Sequence, residues 1–490
     1  MRTRTTTASK ITIGVLAALT WLWVLAMTTP RATSGAVADY GFFTAIAERL
    51  RAGETLYVDV WDNKDPFVFF FLAVARTIGP NGFIGAWLLE ISWVVVASVA
   101  AYFLARSVDV LPTLSALVAF VLSPFVLLGM AYFMGSTHLP AVALLLAAIS
   151  LIYRDRPLAA GIAIGVLLFF KLVMVPMAVV VVVVAFVALR RRPALIPAVG
   201  GFVGTLATVG ALLAVRGELV PFIDTQLHNV LYSQSPIVSA EYTGVAQKVG
   251  QHIVILVNPH VATLILISVA IGLVTMPWWK NSRARWEQLP GLWWISAASF
   301  VMAGVTIAVT GKWFHHAEIF AVSSTLVLVL VTGWLSLVRN WRPWLTGVSA
   351  AVLTYPLAMA PPAVHFLDPV TNWQENQRSS RSTDYITEEL LTREPTTVAF
   401  VGDLLPRSAG LGDWTIVCRQ VAQRPFNPEE VFLEAADCLP SAQTIVITRS
   451  LDPDPNFPAF TAFLEKVDMI VTSDYTCEGT SAGLICTRPA

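Results

Sequence analysis

Long apolar runs separated by short polar connections fill the first three quarters of the chain. At roughly 20 residues per membrane-spanning helix, they predict eleven spans. The runs are 10–27, 83–105, 111–131, 138–153, 157–171, 174–189, 195–215, 252–277, 291–310, 317–338 and 343–361. A single helix over 158–189 would be about 48 Å long, too long for one straight span. We therefore divide it into a hairpin that turns near Lys171–Pro176, where a proline can end a helix.

Composition and charge placement support a multispanning α-helical membrane protein. Hydrophobic residues make up 56% of the 490 residues and charged residues only 13%, which is unlike a soluble domain. The run Ile11–Met27 has no small-residue cleavage pattern after it and is interpreted as a retained first helix. The basic residues of the connections predicted to be cytoplasmic are Arg106, Arg154, Arg156, Arg190, Arg191, Arg192, Lys280, Arg283, Arg285, Arg339 and Arg342. The positive-inside rule then places the N-terminus in the cytoplasm of a plasma membrane and everything after Pro361 outside the cell.

After Pro361 and Pro362 the composition becomes that of a soluble domain. The runs Thr396–Gly402, Thr444–Ser450 and Met469–Tyr475 are typical of β-strands. Asn427–Glu430 has the capping residue, proline and acids with which a helix begins. We predict a transmembrane domain over 1–362 and a small extracytoplasmic α/β domain over 363–490.

The four cysteines all lie in this last segment, which suits an oxidising compartment. Cys477 and Cys486 flank a short turn that contains glycine and could bridge a hairpin, which would leave Cys418 with Cys438. Four cysteines allow three connectivities, and four free thiols remain an alternative. Paired short spacings typical of zinc sites are absent from the sequence, and no motif indicates a metal cofactor.

A longer connection, 216–251, begins with an amphipathic stretch. In Phe222–Leu231 the residues Ile223, Leu227, Val230 and Leu231 share one helical face. This pattern predicts an interfacial helix that could cover a lipid groove. A solvated loop is an equally compatible interpretation.

Polar residues concentrate in the first external loop, residues 28–82. Its acids include Asp39, Asp59 and Asp62, and its lysine is Lys64. These residues lie together with aromatic residues between two apolar spans. Carboxylates can act as general bases, and a cation at the membrane surface can hold a phosphate. The loop therefore is the predicted reaction site. A solvated juxtamembrane acid and an ion pair of Lys64 with Asp62 or Asp65 are the structural alternatives.

The order of these residues resembles a known family. Asp39 is followed by LRAGETLYVDV and then by WDNKDPFVFFFLAVA. This order resembles the first external loop of membrane-embedded GT-C glycosyltransferases, most closely the protein O-mannosyltransferase and aminoarabinose transferase branch and its bacterial relatives. Gly53, Tyr57 and Asp59 stand where that branch has G-x-x-x-Y-x-D, and Lys64–Pro66 stands where it has K-P-P, with Asp65 replacing the first proline.

The resemblance implies an inverting transfer of a sugar from a polyprenyl-phosphate donor to a glycan, glycolipid or protein outside the membrane. Asp39 would be the general base and Lys64 would hold the lipid phosphate. The further candidates for substrate contact are Tyr40, Tyr57, Asp59, Asp62, His138, Lys171, Lys312, His315 and His316. Trp61 could also stack on a sugar. No nucleic-acid partner is expected.

A transporter or flippase of a lipid-linked substrate is the main alternative. It would require ionisable groups within the spans, often in repeated halves. Only Glu90 and Lys171 stand out as such groups, and no internal repeat is evident. Glu90 would face a watery cavity or hydrogen-bond a neighbouring helix. A noncatalytic scaffold for envelope assembly is a third possibility.

Overall fold

The computed structural model describes residues 7–28, 38–79, 83–129, 135–233, 288–310, 318–337, 389–390, 392–402, 414–420, 423, 429–448, 458–480 and 483–489. They group into two compact units. The first unit is drawn from residues 1–29, 90–208 and 246–372, and the second from 30–89, 209–245 and 373–490. The predicted spans 252–277 and 343–361 lie outside the described residues. The predicted domain boundary near residue 362 stays a prediction.

Helices make up the described part of the first unit. They are α1 (Thr7–Thr28), α4 (Phe83–Ser107), α5 (Pro112–Leu117), a π-helical stretch (Val118–Leu122), α6 (Ser123–Gly129), α7 (His138–Tyr153), α8 (Pro157–Phe170), α9 (Val175–Ala188), α10 (Leu195–Val215), α12 (Gln288–Thr310) and α13 (Ala321–Leu337). The beginning of α4 and the end of α10 belong to the second unit. These bounds confirm the predicted apolar runs that the structure describes, and the continuous apolar sequence is the reason that they form helices.

Lys171 marks the predicted break in the long run. Helix α8 ends at Phe170, Lys171 adopts φ −160° and ψ 85°, and a 3₁₀ turn (Leu172–Met174) leads into α9. Pro176 lies in the first turn of α9, where its missing N–H costs nothing. Two helices rather than one long helix are therefore confirmed.

Helix α8 packs against α7 and comes very close to α10. Helix α7 is buried along nearly its whole length. A Cβ at Gly161 would lie 1.8 Å from the carbonyl oxygen of Ala198, and a Cβ at Gly201 would lie 2.2 Å from that of Leu158. Glycine is thus required where α8 and α10 touch, as in many membrane helix pairs.

The outward face of α10 is apolar. Ile196 is 78% exposed, Val199 55% and Val203 53%, and their spacing puts them on one side of the helix. Among the described residues, Ile84–Ser107 and Arg192–Val215 are long and apolar enough to cross a membrane by themselves, and the other helices contribute shorter apolar stretches of 10–17 residues. The predicted count of eleven spans stays a prediction.

The second unit contains α2 (Ala38–Arg51), α3 (Pro66–Ala75), α11 (Leu219–Ser233), α14 (Glu429–Cys438) and α15 (Pro458–Asp474). Its strands are β1 (Thr397–Val401), β2 (Thr415–Ile416), β3 (Thr444–Thr448), β4 (Thr476–Gly479) and β5 (Gly483–Thr487). The strand order is β2-β1-β3-β5-β4. Strands β2, β1 and β3 are parallel, and β5 runs antiparallel to β3 and β4. The predicted C-terminal α/β layer is confirmed.

One predicted strand is wrong. The run Met469–Tyr475 was expected to be β, but α15 extends to Asp474 and the strand begins at Thr476. The buried residues Phe460, Phe463, Val467 and Val471 recur every three to four positions, which is a helical rather than a strand period. Helix α15 therefore packs one apolar face on the sheet and exposes Met469.

The disulfide pairing is confirmed. Cys418 is bonded to Cys438 and Cys477 to Cys486, and the described residues contain no free cysteine. The Cys477–Cys486 bond joins the antiparallel strands β4 and β5.

Candidate functional site

The loop over residues 28–82, whose external position stays a prediction, contains two helices that the polar pattern did not reveal. Helix α2 buries Phe42, Phe43 and Ile46. Helix α3 begins with Pro66 at its first position, after Asp65 at the cap, which suits a helix N-terminus. Arg76, directly after α3, forms an ion pair with Glu48 of α2 and is almost fully buried. The candidates Tyr57, Asp59, Asp62 and Lys64 lie in the turn between the two helices.

Tyr57 holds this turn together from inside. Its side chain is fully buried, and its hydroxyl donates to the carbonyl oxygen of Lys64 at 2.7 Å. Its backbone N–H donates to the Val60 carbonyl at 2.7 Å, with φ at +64°. Burial, together with the charges of nearby carboxylates, raises the pKa of the Tyr57 phenol. The phenol therefore remains a neutral hydrogen-bond donor, and contact of its ring with a substrate stays a prediction.

The remaining polar residues of the turn shape its backbone. Asp59 is exposed and accepts the Thr55 N–H at 2.8 Å. Asp62 accepts the backbone N–H of Lys64 at 2.9 Å, a local turn typical of aspartate. The Lys64 ammonium donates to Oδ1 of Asn63 at 3.0 Å and is partly exposed. The described partner of the Lys64 ammonium is thus a neutral amide, and an ion pair with Asp62 or Asp65 stays an alternative.

Sequence reasoning missed a buried acid, Glu218, directly before α11. Its Oε1 accepts the Leu56 N–H at 3.1 Å and the Arg216 Nε–H at 2.9 Å. Burial raises the pKa of the Glu218 carboxyl, and the hydrogen bond and charge of Arg216 oppose that rise. The Arg216 guanidinium also lies 5.4 Å from the ring centre of Phe70 in α3. Glu218 thus ties the turn to α11.

Helix α11 confirms the predicted helix over 222–231 and divides its residues between two faces. On one face, Thr225 accepts the indole N–H of Trp61 at 3.2 Å, and Asn229 donates to the Asn63 carbonyl at 2.7 Å. On the other, Ile223 is 46% and Leu227 56% exposed. The helix therefore holds the turn at Trp61 and Asn63 while presenting an apolar surface outward. Its contact with lipid stays a prediction.

In the first unit, His138, Lys171 and Glu90 belong to a polar cluster: Glu90 lies within α4, His138 begins α7, and Lys171 directly follows α8. Glu90 accepts the Gly135 N–H at 3.1 Å. Lys171 and Glu90 are close enough to act electrostatically on Glu318, another acid that sequence reasoning missed.

Glu318 is the most deeply buried acid of this polar cluster. It is fully buried and accepts a hydrogen bond from the hydroxyl of Ser136. The same hydroxyl accepts the His138 backbone N–H at 3.2 Å. An ionisable group buried among apolar helices is costly, and such groups commonly mark a functional site.

Several predicted residues are not tested by the structure. Asp39 and Tyr40 lie in the first turn of α2, but their side chains are outside the described part of the structure. Lys312, His315 and His316 lie outside the described residues. Across the parts of the chain that the structure describes, no group of three or more His, Cys, Asp or Glu side chains could hold a metal ion.

Comparison with known proteins identifies the fold. ArnT from Cupriavidus metallidurans, bound to undecaprenyl phosphate, matches with a TM-score of 0.60 and 14% sequence identity, over 98% of each chain. The oligosaccharyltransferase AglB from Archaeoglobus fulgidus, in complex with an inhibitory peptide and a dolichol-phosphate, gives a TM-score of 0.48 at 13% identity, over 98% of this chain and 74% of that one. The arabinofuranosyltransferase AftD from Mycobacteria gives 0.48 at 14% identity, over 98% of this chain and 40% of that one.

No family model and no curated protein sequence match the chain. The likeness to ArnT extends over nearly the whole of both proteins and shows that the two share a fold. The resemblance seen in the first external loop is thereby confirmed at the level of the fold.

Proposed function

We propose that the protein is a GT-C glycosyltransferase that moves a sugar from a polyprenyl-phosphate donor to an acceptor outside the plasma membrane. The observation that carries this proposal is the shared fold over 98% of both chains with an enzyme bound to undecaprenyl phosphate. The order of Asp39, Tyr57, Asp59 and Lys64 along the first loop supports it. The acceptor is a cell-envelope glycan, a glycolipid or a protein.

Lys64 is the proposed ligand of the donor phosphate. Its ammonium is partly exposed and has a neutral amide as its described partner, and Lys64 lies two residues before Pro66, the first residue of α3. A helix N-terminus adds backbone N–H groups and partial positive charge, both of which favour a phosphate. The cation would stabilise the charge that develops on the phosphate as the bond to the sugar breaks.

Asp39 is the proposed general base. It takes the proton from the acceptor hydroxyl while that oxygen attacks the anomeric carbon. The bond between the anomeric carbon and the phosphate oxygen breaks, and its electron pair leaves with the polyprenyl phosphate. Attack from the opposite face inverts the anomeric configuration.

Outward apolar surfaces suit a lipid-linked donor. Exposed side chains on α10 and α11, among them Ile196, Val199 and Leu227, would contact the acyl chains or the polyprenyl tail. The two disulfides favour an oxidising compartment for the C-terminal domain. We therefore propose a cytoplasmic N-terminus and an extracytoplasmic C-terminal domain.

The proposal is tested with purified protein in liposomes and a panel of radiolabelled polyprenyl-phosphate sugars. We expect sugar transfer by the wild type and a rise of about tenfold or more in the donor KM for Lys64→Ala, because a charge-assisted phosphate contact is lost. Lys466→Ala, which removes a partly exposed lysine of α15 paired with Asp437, is the matched control. An unchanged donor KM in Lys64→Ala would remove the phosphate role.

A flippase is the second candidate, and the polar cluster of Glu90, Lys171 and Glu318 is the observation that favours it. Buried ionisable groups of this kind line many transport pathways. Movement of a fluorescent polyprenyl-phosphate sugar across liposomes without any glycosidic product would support the flippase and contradict the transferase.

A further inference from the structure

A segment of the C-terminal domain pairs directly with the first external loop. We define this latch segment as residues 414–420. The backbone N–H of Trp61 donates to the carbonyl of Arg419 at 2.9 Å, and Trp61 forms a parallel β-bridge with Gln420. The loop backbone thus pairs, in the manner of a short β-strand, with a segment more than 350 positions away in the chain.

Two arginines strengthen this pairing from opposite sides. Arg49 of α2 donates to the Cys418 carbonyl at 2.6 Å and to the Asp59 carbonyl at 2.8 Å. Arg419 of the latch segment donates to the Tyr57 carbonyl. The Arg49 guanidinium therefore joins the loop backbone at Asp59 to the latch backbone at Cys418, and the Arg419 guanidinium joins the latch segment to the loop backbone at Tyr57. The planar fork of arginine suits such multiple contacts.

The latch segment is itself fixed within the C-terminal domain. Cys418 is fully buried and is bonded to Cys438 at the end of α14. Glu434 of the same helix accepts hydrogen bonds from Gln420 and, at 3.3 Å, from Arg419. The disulfide and the two polar contacts thus attach the residues that touch the loop to a single helix, α14.

We propose that the latch segment, fixed by the Cys418–Cys438 disulfide, positions the first loop for the transfer reaction; this rests on the proposed function of that loop. Trp61 is three residues from Lys64, and the Tyr57 hydroxyl donates to the Lys64 carbonyl. Motion of the paired backbone at Trp61 therefore displaces Lys64, the proposed ligand of the donor phosphate. The C-terminal domain thereby sets the geometry of the donor site, and Arg49 and Arg419 are positioning residues.

The test compares two variants that each remove one disulfide. Cys418→Ser with Cys438→Ser releases the latch, and Cys477→Ser with Cys486→Ser opens only the β4–β5 hairpin, which serves as the control. Amide hydrogen exchange of peptides over 55–65 needs no substrate and reports the loop directly. We expect exchange to become about tenfold faster in the first variant, as loss of one or two hydrogen bonds predicts, and to be unchanged in the second.

The enzymatic readout is the donor KM at equal amounts of folded protein. Releasing the latch is expected to raise the donor KM several-fold, whereas loss of the hairpin disulfide leaves it unchanged. Equal exchange and equal KM in both variants would overturn the proposal. If the wild type transfers no sugar from any donor, the proposed function fails, and the exchange data alone decide whether the latch holds the loop.

A second pair of variants applies if the cysteine variants do not fold. Arg419→Ala removes the contact with the Tyr57 carbonyl, and Lys466→Ala removes a partly exposed cation of the same domain. Faster exchange over 55–65 in Arg419→Ala alone supports the latch. Identical exchange in the two variants contradicts it.

Discussion

The buried carboxylate of Glu218 gives the sharpest prediction about the loop. It accepts the buried N–H of Leu56 at 3.1 Å and pairs with Arg216 at 2.9 Å. In Glu218→Ala, the Leu56 N–H loses its acceptor, and an unsatisfied buried donor costs about 1–3 kcal/mol. If that cost falls on local opening of the turn, exchange of peptides over 55–60 becomes about 5- to 150-fold faster. Glu218→Gln keeps an oxygen for Leu56 and should change exchange much less.

The same residue gives a dependence on pH. Burial raises the pKa of Glu218 in the folded protein above its ordinary value of 4.5, so the folded state binds a proton more readily than the unfolded chain. The stability that this group contributes is present below the unfolded pKa and is lost as the pH rises through the folded pKa. The wild type should therefore gain thermal stability relative to Glu218→Gln when the pH falls from 7 toward 5.

Hydrogen exchange and melting in detergent at both pH values test these statements. Asp224→Ala, which changes an exposed acid on the adjoining helix α11, is the matched control and should leave both quantities unchanged. Equal exchange in Glu218→Ala and the wild type would refute the claim that Glu218 holds Leu56. A wild type that loses stability relative to Glu218→Gln on acidification would refute the assigned direction of the pKa.

Two further substitutions test the packing. Tyr57→Phe removes the 2.7 Å hydrogen bond to the Lys64 carbonyl, worth about 1 kcal/mol, so exchange over 60–66 should be about fivefold faster; an unchanged rate would contradict the role of the phenol. Gly161→Val places a Cβ 1.8 Å from the Ala198 carbonyl oxygen and should cost at least about 1–3 kcal/mol, seen as a lower melting temperature. Gly204→Ala, which meets no atom within 4 Å, is its control; equal melting of the two would contradict the close approach of α8 and α10.

The sequence predicted the helices best where apolar runs were continuous. The break near Lys171 was predicted correctly, because Pro176 favours the first turn of a helix. The basic connections divided the other runs, because arginine favours the ends of membrane helices. The helices α2 and α3 were missed because the charges of the loop outweighed its apolar residues. Phe42, Phe43 and Ile46 follow a helical period, and this signal could have revealed α2.

The candidate site was predictable only in part. Lys64 and Tyr57 were found through their order along the chain, but the partners that hold them come from remote segments. Glu218 and Glu318 were missed because a single acid at the end of an apolar run is normally an exposed helix terminus. Their burial depends on tertiary contacts with Leu56 and Ser136. Likewise, the run Met469–Tyr475 is rich in β-formers, but packing on the sheet selects a helix.

The central claim is tested most directly by the transfer rate of Asp39→Asn in liposomes with a polyprenyl-phosphate sugar that the wild type uses. Loss of a general base predicts a rate about 100- to 10,000-fold lower at unchanged donor binding, with an inverted anomeric configuration in the wild-type product. Asp109→Asn is the control, since it changes an exposed acid with positive φ that asparagine also adopts. A rate in Asp39→Asn equal to that of the wild type would contradict the account.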